Sequence, residues 1–528
     1  MTGSLDKGWW HGAVGYEVYI RSFADSNGDG IGDIRGIHER LGYLAWLGVD
    51  FIWITPWYPS PMADHGYDVA DYCNIDPSFG TLTDAEAMIE RAHDLGLRVV
   101  IDIVPNHTSD HHAWFRAARS SRTDSMRDRY VWGDPAPDGG PPNNWVSHFG
   151  GPAWTFDDAT GQYYLHLFLP EQPDLNWRNP EVVEAFHDIL RFWLARGVNG
   201  FRIDVSHALV KDAQLRSNPQ LRPVDASMDA KDVFLSFEHR YDLLQPESLD
   251  VFRGWRDVVA SHGALLMGET YVRDASQLGG LLDGTGMYAG FWFGTMWTTW
   301  DPASVREVLE AASHHQGAEI AWAESSHDEI RAPSRFGGGS VGRGRALSLL
   351  VLIAGLPGVP VLFEGDELGL EDGIVPPEHR TDPIATHDQG LGRDGCRTPM
   401  PWDPDQPGLG FTTGTPWLPI MGRTDRDTVA VQRRDPDSYL SRVRELLRVR
   451  RALSGLADAP IEWPTSDSAP LVWFRRGDHV FVANCGALAA PLPVEGTVLY
   501  HSNPYGRVAD SSLPPGEAVI IDVSEEDD

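Results

Sequence analysis

Short apolar runs rich in β-branched residues recur along the chain, each separated from the next by a stretch with helical spacing. The runs are GYEVYI (15–20), DFIWIT (50–55), LRVVIDIV (97–104), GFRIDV (200–205), ALLMGE (264–269), IAW (320–322) and VPVLF (359–363). They are continuously apolar rather than alternating, the pattern of strands buried on both faces of a parallel sheet. Between them lie amphipathic segments such as DAEAMIERAHDLGL (84–97) and PEVVEAFHDILRFWLARGV (180–198). In the second, Pro180 sits at a helix N-terminus with Asn179 as N-cap. Strand–helix alternation over roughly 450 residues predicts an α/β fold, a (β/α)8 TIM barrel rather than a doubly wound sheet. No GxGxxG opens the first unit.

Two segments break the rhythm. Residues 105–175 are long, polar and aromatic-rich, and read as an inserted subdomain after the third strand. Residues 371–420, rich in Gly, Pro and Asp, read as a lid or irregular insertion after the eighth. The barrel is thus expected over 1–104 and 176–455, with a helix at 439–453. Beyond it, LVWFRR, HVFVANC and AVIIDV predict a small antiparallel β-domain over 456–528, ending in a frayed SEEDD tail.

In a (β/α)8 barrel the chemistry sits at the C-terminal ends of the strands. Asp102, Asp204 and Glu269 end three strands here, and Asp328 follows the seventh; His107, Arg202 and His327 lie near the same ends. A single strand-end Asp serves equally well as a helix N-cap, but four on one mouth do not. Converging carboxylates beside Arg and His suit glycoside chemistry, in which one carboxylate attacks the anomeric carbon and a second protonates the departing oxygen. An Arg two residues before the nucleophile favours its anion. The acid needs a raised pKa instead.

Composition narrows the substrate. Formal charge is −33, from 76 acidic against 43 basic residues, which argues against nucleic acid and anionic membranes. The 20 Trp suit a protein that stacks rings on sugars. Three cysteines, Cys73, Cys396 and Cys485, show neither disulfide nor zinc spacing. No apolar run reaches the roughly 18 residues of a membrane span, and the basic-then-apolar start of a secretion signal is missing. The expectation is a cytoplasmic protein.

Residues 25–33, DSNGDGIGD, have the look of an EF-hand loop. Position twelve of such a loop should be a bidentate Glu, but Gly36 stands there, and a strand-like run precedes the loop in place of a helix. A calcium sensor is therefore not expected. A solvated acidic turn and a structural ion site both remain open on this pattern.

The motifs DIVPNH (102–107), GFRIDV (200–205), GET (268–270) and SSHD (325–328) resemble, in order and spacing, the four signature regions of the α-amylase family, glycoside hydrolase family thirteen. QPDLN (172–176), DHGYD (64–68) and RTPMPWD (397–403) resemble its oligo-1,6-glucosidase and α-glucosidase branch, over residues 9 to about 455. The resemblance implies Asp204 as nucleophile, Glu269 as general acid/base, and Asp328 as the third carboxylate, gripping sugar hydroxyls. It implies a glucose pocket of Asp64, Tyr67, His107, Arg202, His327 and Arg397, with Tyr67 as stacking platform and Asp102 as a buried orienter. It also implies a structural Ca2+ held by Asp25, Asn27, Asp29, the Ile31 carbonyl and Asp33, with Mg2+ as the other candidate and no cofactor for catalysis.

The implied function is a retaining exo-α-glucosidase acting on short oligosaccharides or α-glucosides. The alternative is a transglucosylase or isomerase of the same family, using sucrose or maltose in the manner of a trehalose synthase. Val205 after the nucleophile points toward α-1,6 capability, although other relatives with Val cut maltose-like substrates. The partner is a neutral α-glucoside, with no nucleic acid or membrane, and the chain acts as a monomer or homodimer. Two departures stand out: Ser326 where the family has Asn, with Glu324 and Glu329 flanking the motif, and His65 where the branch has Asn.

Overall fold

The computed structural model describes residues 8–225, 227–315, 317–384, 392–453, 455–465, 470–505 and 512–524. Eight parallel strands close into a barrel: β1 (Gly15–Val18), β2 (Phe51–Ile54), β3 (Arg98–Ile103), β4 (Gly200–Ile203), β5 (Leu265–Gly268), β6 (Ala289–Phe291), β7 (Glu319–Trp322) and β8 (Val359–Phe363). Each pairs with its sequence neighbours, and β8 closes on β1 through Gly15↔Val361. Nearly every strand residue is buried, because helices cover the outside and side chains fill the inside.

Seven of the strands coincide with the apolar runs of the sequence; β6 does not. It is three residues long and centred on Gly290, where a Cβ would lie 2.8 Å from both Leu282 methyl carbons and 3.1 Å from Thr270 Cγ2. Packing here excludes the β-branched residues that mark the other strands. The helix Pro180–Leu194 starts as expected, the Asn179 side chain accepting the Glu181 N–H.

Between β3 and that helix, a three-stranded antiparallel sheet is built from Trp132–Gly133, Gln162–Leu165 and Trp154–Asp157. A further long excursion, between β4 and the helix Ser248–Ala260, carries the short helix Ala230–Phe234. The sequence pattern does not announce it, since its apolar residues follow neither a strand nor a helix period. They pack instead on the first excursion: Phe234 and Leu243 share a small core with Trp145, Trp154, Leu165 and Leu167. Together the two excursions wall the mouth of the barrel.

After β8, residues 371–384 and 392–420 run as irregular chain with short 3-10 turns; 385–391 fall outside the described residues, as does most of the SEEDD tail. The helix Tyr439–Ala452 leads to a five-stranded antiparallel sheet in the order Ile461–Glu462, Leu471–Arg476, His479–Asn484, Ala518–Asp522, Thr497–His501. This sheet seats against the buried helix Gly339–Gly355, where a Cβ on Gly355 would lie 2.5 Å from the Phe481 ring. Among the described residues no helix is long and apolar enough to cross a membrane.

Candidate active site

Parallel register and the two-residue period of strands place the charged groups on one inward face. Asp102 on β3 stands level with Arg202 on β4, and Asp204 follows two residues later on the same side. Arg202 is buried and binds three carboxylates: its Nη1 donates to Asp102 Oδ1 (3.1 Å) and Asp204 Oδ1 (2.6 Å), its Nη2 to Glu269 Oε2 (2.9 Å). Asp204 and Glu269 therefore stand side by side on the two arms of one guanidinium. The Val205 N–H also donates to Glu269 Oε2, at 2.9 Å.

Val205 adopts a left-handed conformation (φ 47°, ψ 40°). A β-branched residue held there is strained, of order 1–3 kcal/mol. The strain is localised at the turn that presents Asp204, where a conformation fixed by its surroundings serves a site.

One guanidinium cannot neutralise three carboxylates. Burial raises the Asp204 carboxyl well above the ordinary carboxylate range; Arg202 opposes this and the neighbouring Glu269 adds to it. The sequence anticipated only the Arg202 effect. Burial likewise brings Asp102 up to about 6, against Arg202. Asp102 accepts from the Trp53 indole (3.2 Å) and Tyr67 hydroxyl (3.1 Å) as well as Arg202, so it is a buried orienter.

Asp328 has different surroundings. Its Oδ1 accepts from Arg393 Nη1 (3.0 Å) and Arg397 Nη2 (2.7 Å), and Oδ2 lies 3.2 Å from His327 Nε2. Burial alone would raise it, but these neighbours, with Arg393 and Arg397 bonded directly to it, outweigh burial and hold it far below the usual range. Ser326 replaces the expected Asn without loss of the turn, because its Oγ accepts the Asp328 N–H at 3.2 Å. His327 is pinned by Glu17 on one ring nitrogen and by the Tyr67 hydroxyl (2.7 Å) on the other. Its ring is nearly parallel to that of Tyr67 (8°, centroids 5.4 Å apart) and displaced sideways, so that the Tyr67 hydroxyl meets its Nε2.

A cavity of about 780 Å³ opens over these groups. Asp64, Tyr67, His107, Asp204, Glu269 and Asp328 line it; Arg202, His327 and Arg397 stand behind and hold the lining groups in place. His65 is left-handed (φ 51°), a conformation that His, like Asn, tolerates. Its Nδ1 accepts from Arg397 Nη1 at 3.2 Å, and burial and that cation keep the ring neutral.

Two residues of the site were not picked out from sequence. Arg393, four positions before Arg397, lines the cavity and bridges Asp64 (2.8 Å) to Asp328 (3.0 Å) while held by Asp382 (2.8 Å). Gln172, inside the QPDLN segment, donates to Asp64 Oδ2 (3.2 Å) and lies 3.1 Å from His107 Nε2. Burial pushes His107 down to about 4, so it is neutral at pH 7. The QPDLN resemblance carried the signal for Gln172; an isolated Arg in a Gly-rich loop carried none.

The loop 25–33 lies apart from this cavity. Asp25 accepts the N–H groups of Asn27 (2.9 Å), Gly28 (2.7 Å) and Gly30 (2.7 Å) and the Thr412 hydroxyl (2.5 Å). Asn27 and Asp29 each accept the N–H two residues on, both at 2.8 Å. Asp33 caps the helix Ile34–Leu47 through Gly36 N–H and accepts from Ser26. Among the described residues no three His, Cys, Asp or Glu side chains are gathered as a metal cluster.

The α-amylase catalytic-domain family matches residues 17–459. A protein of Rhizobium meliloti described as a probable alpha-glucosidase is 43% identical over 493 residues, covering 90% of this chain and 89% of its own. The oligo-1,6-glucosidase of Heyndrickxia coagulans is 35% identical, covering 89% and 90%. The crystal structure of the alpha-glucosyl transfer enzyme XgtA superposes with a TM-score of 0.91 at 39% identity, over 98% of this chain and 99% of that one. With its family match and its strand-end carboxylates in agreement, the chain belongs to the α-amylase family of glycoside hydrolases.

Proposed function

We propose that the protein is a retaining exo-α-glucosidase, removing terminal glucose from short α-linked oligosaccharides or α-glucosides. The observation that carries this reading is the pairing of Asp204 and Glu269 on the two arms of Arg202, facing a cavity. Such close carboxylates leave no space for a water between them and the sugar, the arrangement of retaining enzymes. Asp204 attacks the anomeric carbon as Glu269 gives its proton to the departing oxygen. Glu269, now ionised, takes a proton from water, whose oxygen displaces Asp204 and restores both groups. Asp64, Asp328 and Arg393 form a closed polar end suited to the hydroxyls of one glucose, which favours action at a chain end.

The expected outcome for Asp204→Asn is a loss of at least about 10⁴-fold in kcat, and for Glu269→Gln a loss of about 10²–10⁴-fold on disaccharides. Near-normal turnover in both folded variants would remove the assignment.

A transglucosylase shares the same covalent intermediate and differs only in whether water or a sugar hydroxyl intercepts it. The outer cavity wall of Phe149, Phe168, Phe234, Phe237 and Phe293 favours some transfer, since it limits water near the intermediate. Similarity to XgtA, an alpha-glucosyl transfer enzyme, points the same way.

We further propose that Asp25, Asn27, Asp29, the Ile31 carbonyl and Asp33 hold a structural Ca2+ or Mg2+. The donors are all hard oxygens, and Asn27, Asp29 and Asp33 each keep a lone pair beyond their hydrogen bonds; Asp25 has its four acceptor sites filled, so an ion there takes the place of one donor, such as the Thr412 hydroxyl. Gly28 and Gly30, at φ 83° and 94°, give the tight turns that such a loop needs. Metal analysis of the purified protein tests it, and a protein without bound divalent ion would reject it.

A further inference from the structure

The carboxylates at the inner end of the cavity are each tied to a cation: Asp204 and Glu269 to Arg202, Asp328 to Arg393 and Arg397, Asp64 to Arg393. Glu329 lines the same cavity and, among the described residues, makes no ion pair. Its Oε1 accepts the Trp297 indole N–H at 2.6 Å. Its Oε2 has no donor among the described residues.

The position of Glu329 identifies which part of a substrate it would meet. Trp297 packs edge-on against Tyr271 (4.9 Å, 77°), and both touch Phe293 (5.5 and 5.1 Å). Tyr271 stands two residues beyond Glu269, the group that protonates the departing oxygen, so this aromatic wall flanks the leaving group. The chain reaches Glu329 through a tight turn: Ser326 pairs with Glu329 across an isolated bridge, and the Ser326 hydroxyl fixes the Asp328 N–H. That turn directs Asp328 to the cation cluster at the inner end and Glu329 to the aromatic wall.

We propose that Glu329 is a specificity-determining residue on the leaving-group side, its free carboxylate oxygen accepting a hydroxyl of the second sugar unit in hydrolysis and of the acceptor sugar in transfer. The proposal rests on the α-glucosidase reading above and extends it to the neighbouring subsite. Trp297 orients the carboxylate, and the ring wall of Tyr271 and Phe293 shields the hydrogen bond from water.

The test compares Glu329→Ala and Glu329→Gln on p-nitrophenyl α-glucoside, whose leaving group carries no hydroxyl, and on maltose and isomaltose. Glu329→Ala is expected to lower kcat/KM on the preferred disaccharide about 10- to 100-fold, chiefly through KM, the size of a lost hydrogen bond to a charged group. Aryl-glucoside hydrolysis should change by no more than about twofold, and Glu329→Gln, whose one amide oxygen is taken by the Trp297 N–H so that its NH2 faces the sugar, should keep most of the disaccharide loss. Equal losses on both substrate types, or none on the disaccharide, would overturn the proposal. Should Glu329→Ala fail to fold, Trp297→Phe, which releases the carboxylate, must give the same selective loss. Wild-type protein inactive on every α-glucoside would instead overturn the α-glucosidase reading, and this proposal with it.

Discussion

Three carboxylates share Arg202, and that is the residue-scale feature from which the chemistry follows. As the proposed nucleophile, Asp204 must be ionised to attack, yet burial and the neighbouring Glu269 both favour its protonated form. Its folded pKa is raised, so the nucleophile becomes available only as pH climbs through that raised value, and kcat/KM should fall on the acid side of it. Glu269→Gln removes the neighbouring carboxyl that, whenever ionised, repels the Asp204 anion. With an activated aryl glucoside, whose departure needs no acid, the acid limb of kcat/KM should therefore move to lower pH in that variant. An unchanged or upward-moving limb would show that Glu269 does not set the ionisation of Asp204. Most of this cluster was legible in the sequence, because carboxylates at the ends of several barrel strands must meet at one mouth. Arg393 was not, since nothing in GRDGCR separates the clamping arginine from a surface one. Only the folded chain brings it across to Asp64.

At the scale of elements, what could be read depended on burial. Seven barrel strands announced themselves because both faces are covered, leaving continuous apolar runs. The strand Ala289–Phe291 stayed hidden because its neighbours demand glycine at position 290. The excursion after β4 stayed hidden for the opposite reason: its apolar residues serve a separate small core shared with the Trp145–Trp154 region and follow no regular period. The loop 25–33 is joined to the irregular segment after β8, with Asp25 bonded to Thr412 and the Asp25 N–H to the Phe411 carbonyl at 2.9 Å. If the proposed ion is bound there, chelation should loosen both segments. A strong chelator should lower Tm by several degrees, with recovery on adding back Ca2+, since a ligand that binds only the folded state stabilises it by about 3 kcal/mol at a hundredfold excess over Kd. An identical Tm with and without chelator would leave the loop as a hydrogen-bonded turn alone.

Across the whole molecule, a charge of −33 surrounds a site whose inner end concentrates arginines. That distribution suits a neutral sugar, which is not repelled by the acidic surface and can exchange water for the fixed hydrogen bonds of the pocket. Barrel, excursions and C-terminal sheet divide the work: the barrel fixes Asp204 and Glu269, the excursions wall the cavity, and the sheet covers the helix Gly339–Gly355 behind β8. The central claim is that the two carboxylates work by double displacement with water as the main acceptor. Proton NMR of maltose, isomaltose, sucrose and trehalose reactions from the first minutes tests it most directly. Glucose released first as the α-anomer, ahead of mutarotation, is the predicted result, and the relative rates identify the linkage. Initial β-glucose would contradict the retaining mechanism, while new glycosides or an isomerised disaccharide with little free glucose would contradict hydrolysis as the main reaction.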